Sequence, residues 1–267
     1  MDSEINQILQ IENVDKHQVG LHSPNMEREG MTKCLDFVIS KGIKVAEIIT
    51  DSSSSVAKTL ESKYPTVYHS RDIWHKAKKL KKALAEAGKV RNMGKINQWS
   101  GNIVNHFWFC CRTCKGSSVK LKEKWFTVLH HVRNDHDWLL GRCEHQALNG
   151  PPTDNNGSNI SYFNPQEPAF KILRKILTDR AWLKSLDAYV KFRHTGMLES
   201  FHSLLLSYCP KRTAYRDEAY LARTQLAVLD HYAHCRYNCQ RRTKIPPKVQ
   251  KAIQEVGCDT CENEERI

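Results

Sequence analysis

The sequence predicts an α/β layer that is interrupted by a mostly helical insertion. Over the first 88 residues, short apolar runs rich in β-branched residues alternate with amphipathic helical patterns. From residue 89 the strand patterns stop, and clusters of Trp, His and Cys take their place. No apolar run approaches the roughly 20 residues that a bilayer span requires, so no membrane association is predicted.

The layer begins with an imperfect apolar alternation at residues 7–13, which predicts a strand. Ser23-Pro24 is typical of a helix start, because serine caps and proline suits the first helical position. This helix should end at Gly42. The run 43–49 then predicts a buried strand whose carboxyl end leads to Asp51.

A second helix should follow the serines at 52–55 and end before Pro65. Residues 66–70 predict a further short strand, after which Asp72 caps a long helix. The apolar face of that helix comprises Ile73, Ala77, Leu80, Leu84 and Ala87. Both Asp51 and Asp72 therefore follow directly on strands.

Two amphipathic helices are predicted after Thr195, and a loosely ordered tail begins at Lys244 with its two prolines. The predicted organisation has four parts: a first core segment (1–88), a helical Cys/His-rich insertion (89–189), a second core segment (190–243) and the tail (244–267).

The charge distribution indicates a polyanionic partner. The chain has 41 Lys+Arg and 29 Asp+Glu, a net charge of +12. Residues 71–95 hold nine basic and two acidic side chains, which concentrates +7 of that excess in one block. Such a block favours nucleic acid through counterion release, and the alternative is an ordinary solvated helix face.

Two passages resemble the core of DDE transposases. The first contains Asp51 and the later Asp72-Ile-Trp-His75 with its lysine-rich continuation; the second runs from His194 through Glu199 to Arg212. The resemblance implies an RNase H-like fold split by a helical insertion. It also implies that Asp51 and Glu199 are catalytic acids, with Asp72, His75 and His202 in supporting positions. Mg²⁺ or Mn²⁺ would be the cofactor of an active enzyme.

The sequence departs from that family at its beginning. Residues 7–13 match the second strand of an RNase H-like sheet, so the first strand and its aspartate are expected to be missing, and neither Asp2 nor Asp15 sits mid-strand. This predicts a truncated, transposase-derived DNA-binding protein that does not cleave or transfer strands alone. Whether the chain is an enzyme stays open, because an upstream aspartate would restore activity. A third interpretation is a non-enzymatic, zinc-structural interaction module.

A Cys/His cluster in the insertion indicates structural zinc, since thiolate and imidazole are the ligands that closed zinc sites use. The favoured ligands are Cys114, His136, Cys143 and His145, with His131 as a substitute. The alternative is an apolar core in which aromatic residues surround buried thiols. A second pattern, Cys235-x3-Cys239 and Cys258-x2-Cys261, has a spacing near that of zinc ribbons.

DNA contacts are predicted from one cationic set: Lys76, Lys78, Lys79, Lys82, Lys211 and Arg212. No base-reading motif accompanies them, so binding should be weakly sequence-specific. Self-association stays open. The first residues lack a secretory pattern, which predicts a nuclear or cytoplasmic chain with reduced cysteines.

Overall fold

The computed structural model describes residues 1–3, 5–51, 53–139, 141–145, 150–154 and 156–243. The predicted tail, with Cys258 and Cys261, lies outside this range. The described helices are α1 (Ser23–Ser40), α2 (Ser54–Lys63), α3 (Ile73–Gly88), α4 (Gly94–Thr113), α5 (Ser118–Phe126), α6 (Val128–His131), α7 (Pro168–Leu177), α8 (Arg180–Ser185), α9 (Gly196–Tyr208) and α10 (Asp217–Thr243). The strands are β1 (Glu47–Thr50), β2 (Tyr68–Arg71), β3 (Asp137–Trp138) and β4 (Gly141–Arg142).

These elements form two compact units. The larger unit is Val14–Thr195, and the smaller unit combines Met1–Asn13 with Gly196–Ile267. The boundaries predicted at residues 88 and 189 stay a prediction. Among the described helices none has both the length and the apolar character to cross a membrane.

In the larger unit, β1 and β2 pair in parallel, with Glu47 opposite Tyr68 and Thr50 opposite Arg71. The strands that the patterns placed at 43–49 and 66–70 are therefore present but shifted a few residues toward the carboxyl side. Parallel pairing brings the carboxyl ends of both strands to the same edge of the sheet. The chain leaves this edge at Asp51 and at Asp72.

Two apolar cores lie in the larger unit. A small one joins α1 and α2 through Leu35, Val56, Leu60 and Tyr64, and Ile48 of β1 packs against it. A larger one joins the helices from α3 to α8. Its biggest fully buried side chains include Trp99, Phe107, Trp125, Leu173 and Tyr189. The segment predicted to be mostly helical is so in the described residues.

The smaller unit shows that the strand predicted at residues 7–13 does not form. Backbone carbonyls of this region accept hydrogen bonds from side chains of α10 instead. The Tyr232 hydroxyl donates to the Ile8 carbonyl at 2.6 Å, and His231 Nε2 lies 3.0 Å from the Asn6 carbonyl. Side-chain donors thus take the place of a neighbouring strand.

The overall architecture is mixed α/β and mostly helical, as the sequence predicts in outline. The sheets of the described residues are the parallel pair β1–β2 and the antiparallel pair β3–β4. The larger mixed sheet of an RNase H-like fold is not among them, so that assignment stays a prediction.

Candidate functional sites

The first candidate site lies where β1 and β2 end. The backbone N–H of Asp72 donates to the Thr50 carbonyl at 3.0 Å, which extends the parallel pairing by one residue and brings Asp51 near Asp72. Asp51 then leads toward α2 and Asp72 begins α3. The order of strand, acid and helix seen in the sequence therefore does bring these two carboxylates and His75 into one cluster.

Asp72 is a structural part of this edge. Its side chain is 1% exposed, and Oδ1 accepts the backbone N–H groups of Trp74 at 2.6 Å and His75 at 3.3 Å, which caps α3. Oδ2 accepts the backbone N–H of Thr195 at 3.1 Å and the Thr195 hydroxyl. Burial acts to raise the pKa of Asp72, but these hydrogen bonds outweigh it and hold the pKa below its ordinary value. Both carboxylate oxygens of Asp72 therefore accept hydrogen bonds from the surrounding structure.

His75 and Asp51 form the accessible side of the same cluster. His75 Nδ1 lies 3.0 Å from Asp51 Oδ1 and 3.4 Å from Asp72 Oδ2, and the Asp51 side chain is half exposed. Nδ1 has no partner with hydrogen-bond geometry among the described residues. A carboxylate oxygen and an imidazole nitrogen at this separation can hold a divalent cation or position a water molecule.

Glu199 and His202 belong to the smaller unit, where both side chains are exposed on α9. Phe201, between them, is buried and packs edge-on against His231 with ring centroids 5.5 Å apart. The roles of Glu199 as a third acid and of His202 as a supporting residue stay predictions.

The lysines of α3 do not share one environment. Lys78, Lys79 and Lys82 are exposed, as a phosphate-binding surface requires. Lys76 instead points inward: its ammonium lies 4.1 Å from the centre of the Trp182 ring and donates to Ser185 Oγ at 2.6 Å. Burial, followed by repulsion from Lys79 and Arg71, lowers the pKa of Lys76 to about 8.

The remaining predicted DNA contacts, Lys211 and Arg212, are exposed in the turn between α9 and α10 of the smaller unit.

The second candidate site is a cluster of histidines and one cysteine around the β3–β4 hairpin. His131 ends α6, His136 precedes β3, and Cys143 and His145 follow β4. One ligand atom from each lies within 4.8 Å of the others. Three of the predicted ligands are therefore brought together, and His131, the substitute, completes the group.

Cys114 is the predicted zinc ligand that the structure places elsewhere. It follows α4 in the buried core, where its Sγ lies 3.3 Å from the Cys111 carbonyl and 3.4 Å from the Val190 carbonyl. Cys110 and Cys111, near the end of α4, are buried as well, so all three thiols lie in the core. Buried thiols therefore lie beside aromatic residues in the core, and a separate His/Cys cluster lies at the hairpin, where zinc binding stays a prediction.

The hairpin cluster is partly shielded from water. Burial, then the nearby His136 and His145, lower the pKa of His131 to about 4. Burial, then Asp135, raise the pKa of the Cys143 thiol. A pocket of about 400 Å³ adjoins the cluster, and its lining includes His106, Lys124 and Arg142.

Sequence reasoning missed three contributors to these sites. Thr195 and Trp182 are far in sequence from the residues they contact, so no local pattern indicates them. Asn134, whose Oδ1 lies 3.2 Å from His136 Nε2, sits within the His-rich stretch but has no distinctive spacing.

Comparison with known proteins gives one similarity. Residues 16–146, just under half of the chain, match the family model described as Mutator-like transposase. This segment contains Asp51, Asp72, His75 and all four residues of the hairpin cluster, and it supports a relationship with transposases. Neither the curated proteins nor the solved structures contain a significant match.

Proposed function

We propose that the chain is a transposase-derived DNA-binding protein that retains part of a divalent-metal site and neither cleaves nor joins DNA strands alone. The observation that carries this proposal is the meeting of Asp51, Asp72 and His75 at the strand ends, inside the segment similar to Mutator-like transposases. RNase H-like architecture and a nuclear location are part of the same proposal.

The proposed metal ligands are Asp51 and His75, since their facing atoms are 3.0 Å apart and Asp51 is accessible. Mg²⁺ or Mn²⁺ bound there would supply a Lewis acid for a phosphodiester oxygen. Asp72 positions His75 by capping α3, and its oxygens already accept four hydrogen bonds. Hard cations favour several carboxylate oxygens, so this arrangement should bind a metal weakly.

Asp2 and Asp15 are the two aspartates nearest the beginning of the sequence, and each has a local hydrogen-bond partner. Asp2 accepts the backbone N–H of Ile5 at 3.2 Å, and Asp15 caps a short helical turn by accepting the N–H of His17 at 2.7 Å. Each carboxylate is used locally. Glu199 is proposed as the later acid of the family pattern.

The proposed DNA surface consists of the exposed α3 lysines, Lys78, Lys79 and Lys82. They follow His75 on the helix that begins at the metal site, so a bound phosphate backbone would run beside Asp51. Flexible ammonium groups contact phosphates without reading bases, which favours binding with little sequence preference. Lys211 and Arg212 are proposed as further contacts.

The first test is DNA binding as a function of salt. Replacing Lys78, Lys79 and Lys82 together with glutamate should weaken binding at least about 10-fold and reduce the salt slope by up to about 3. The control replaces three exposed lysines outside α3, Lys58, Lys115 and Lys120, because it changes the net charge equally. Equal losses in both triple variants would contradict a localised surface.

The second test is a strand-nicking assay of the full chain with Mg²⁺ or Mn²⁺. No cleavage above background is expected. Robust cleavage that Asp51→Ala abolishes would overturn the proposal and establish an active metal-dependent nuclease or transposase.

A further inference from the structure

We propose that His131, His136, Cys143 and His145 bind a structural zinc ion that fixes the β3–β4 hairpin to the helical core. The proposal is independent of DNA binding, because it concerns the folding of this segment. It replaces the sequence-based ligand set by exchanging Cys114, which lies in the core, for His131.

Three separations between the ligand atoms are close to the edges of a tetrahedral zinc site. Tetrahedral bonds of about 2.0–2.1 Å to nitrogen and about 2.3 Å to sulfur put two nitrogens about 3.3–3.4 Å apart and nitrogen and sulfur about 3.5–3.6 Å apart. His131 Nδ1 and His145 Nε2 are 3.3 Å apart. Cys143 Sγ lies 3.4 Å from His136 Nδ1 and 3.8 Å from His131 Nδ1.

The mutual approach of all four atoms favours an ion over a hydrogen-bonded chain. A chain of donors and acceptors needs only consecutive atoms to be close, whereas here all four atoms lie within 4.8 Å of one another. The rings of His131, His136 and His145 are also mutually edge-on, with centroids 4.9–5.1 Å apart and interplanar angles of 80–85°. Rings around one ion take such different orientations, because each directs a lone pair to the same point.

Asn134, which is not itself a proposed ligand, orients the ring of His136. Asn134 Oδ1 lies 3.2 Å from His136 Nε2, so this nitrogen is assigned as the N–H donor and Nδ1 keeps its lone pair toward the cluster. A metal-binding histidine usually donates its other N–H to such an acceptor.

Four protein ligands leave no open coordination position, which indicates a structural role. The hairpin has strands of only two residues each, too short to be stable without further support. Its other described contacts include the stacking of Trp138 on His130, with centroids 4.4 Å apart, and the ion pair of Lys124 with Glu144. A zinc ion would connect the end of α6 to both sides of the hairpin.

The test measures zinc in the full-length chain by native mass spectrometry and elemental analysis. Cys143→Ser and His131→Asn should each contain one zinc ion fewer per chain than the wild type. The matched controls, Cys114→Ala in the core and His17→Asn at an exposed position outside the hairpin, should keep the wild-type content. Because the comparison is a difference, zinc bound by other cysteines does not affect it. Asn134→Ala should weaken zinc binding about 10-fold while preserving the stoichiometry.

Cobalt substitution keeps the proposal testable if a ligand variant fails to fold. The wild-type chain loaded with Co²⁺ should show the intense visible bands of a tetrahedral complex with thiolate and imidazole ligands. Cys114→Ala should give the same spectrum. The proposal would be overturned if the wild type bound no stoichiometric zinc, if its cobalt spectrum were octahedral, or if a folded Cys143→Ser variant kept the full zinc content.

Discussion

The larger unit contains two described clusters of potential metal ligands, and they differ in the hydrogen bonds that their polar atoms make to the rest of the fold. At the strand ends, Asp72 accepts hydrogen bonds on both carboxylate oxygens and caps a helix. At the hairpin, the ligand atoms of His131, His136 and Cys143 have their short contacts within the cluster itself. Closeness of potential ligands is therefore a weaker indication of a metal where, as at Asp72, the same atoms already accept hydrogen bonds that hold the fold together. The first cluster supports the fold directly through Asp72, whereas the second would do so only with the proposed zinc ion bound.

The largest effect on stability is expected at Asp72. Asp72→Ala removes the cap of α3 and leaves the buried Thr195 N–H without its acceptor, which should lower the free energy of unfolding by about 3 kcal/mol. Urea denaturation at neutral pH measures it. The control is Asp179→Ala, since Asp179 caps α8 by accepting the Trp182 N–H at 2.7 Å but is exposed. That variant should cost about 1 kcal/mol. Equal costs would mean that Asp72 is no more than an ordinary cap.

A smaller, pH-dependent effect is expected at Glu47, which joins β1 to the segment containing Thr195. Burial acts to raise the pKa of Glu47, but hydrogen bonds from Arg193 and Ser70 hold it below the ordinary value of 4.5. The unfolded chain therefore binds a proton first as the pH falls, so Glu47 contributes stability above about pH 4.5 and loses it at lower pH.

The prediction compares wild type with Glu47→Gln by urea denaturation across pH. Near neutrality the variant should be about 1 kcal/mol less stable, since it loses a charge-assisted interaction with Arg193. The difference should shrink below about pH 4.5. Glu123→Gln, at an exposed position of α5, should show little difference at any pH. If the difference in free energy of unfolding between wild type and Glu47→Gln grew as the pH fell, the lowered pKa of Glu47 would be contradicted.

The smallest effect on stability is expected at Asp51, whose half-exposed side chain is accessible to a ligand. Asp51→Asn should change the free energy of unfolding by less than about 0.5 kcal/mol, because the side chain is half exposed. The same variant should weaken Mn²⁺ binding measured by titration calorimetry. A destabilisation as large as that of Asp72→Ala would place Asp51 among the structural residues.

The elements that could be predicted are those with local signals. Asp72 is predicted as a cap because it directly follows a strand pattern, and the apolar face of α3 is predicted from its helical periodicity. The structure confirms both predictions. The prediction of a strand at residues 7–13 is wrong, because an alternation of apolar and polar residues does not reveal whether a partner strand is present. Instead, the Ile8 carbonyl accepts a hydrogen bond from Tyr232, and the carbonyl of Asn6, just before the segment, contacts His231; both partners are more than 220 residues away.

The sites show the same division. The His and Cys types predict a metal site, but choosing between Cys114 and His131 requires knowing that Cys114 is buried in the core, beside the Val190 carbonyl. Lys76 belongs to the lysine block by sequence, and its contacts with Trp182 and Ser185 distinguish it from the exposed Lys78 and Lys79. Long-range packing decides both questions, and no spacing rule contains that information.

The burial of the thiols on α4 makes cysteine alkylation selective. The thiolate is the reactive nucleophile, and burial raises the pKa of Cys110 to about 12 and also raises that of Cys111. Iodoacetamide added to the folded chain should therefore bypass this pair while reaching the half-buried Cys143. Peptide mapping measures the rate of modification at Cys143, with the unreactive Cys110 and Cys111 as an internal reference. A slower rate at Cys143 after zinc is added would indicate that zinc occupies the hairpin cluster.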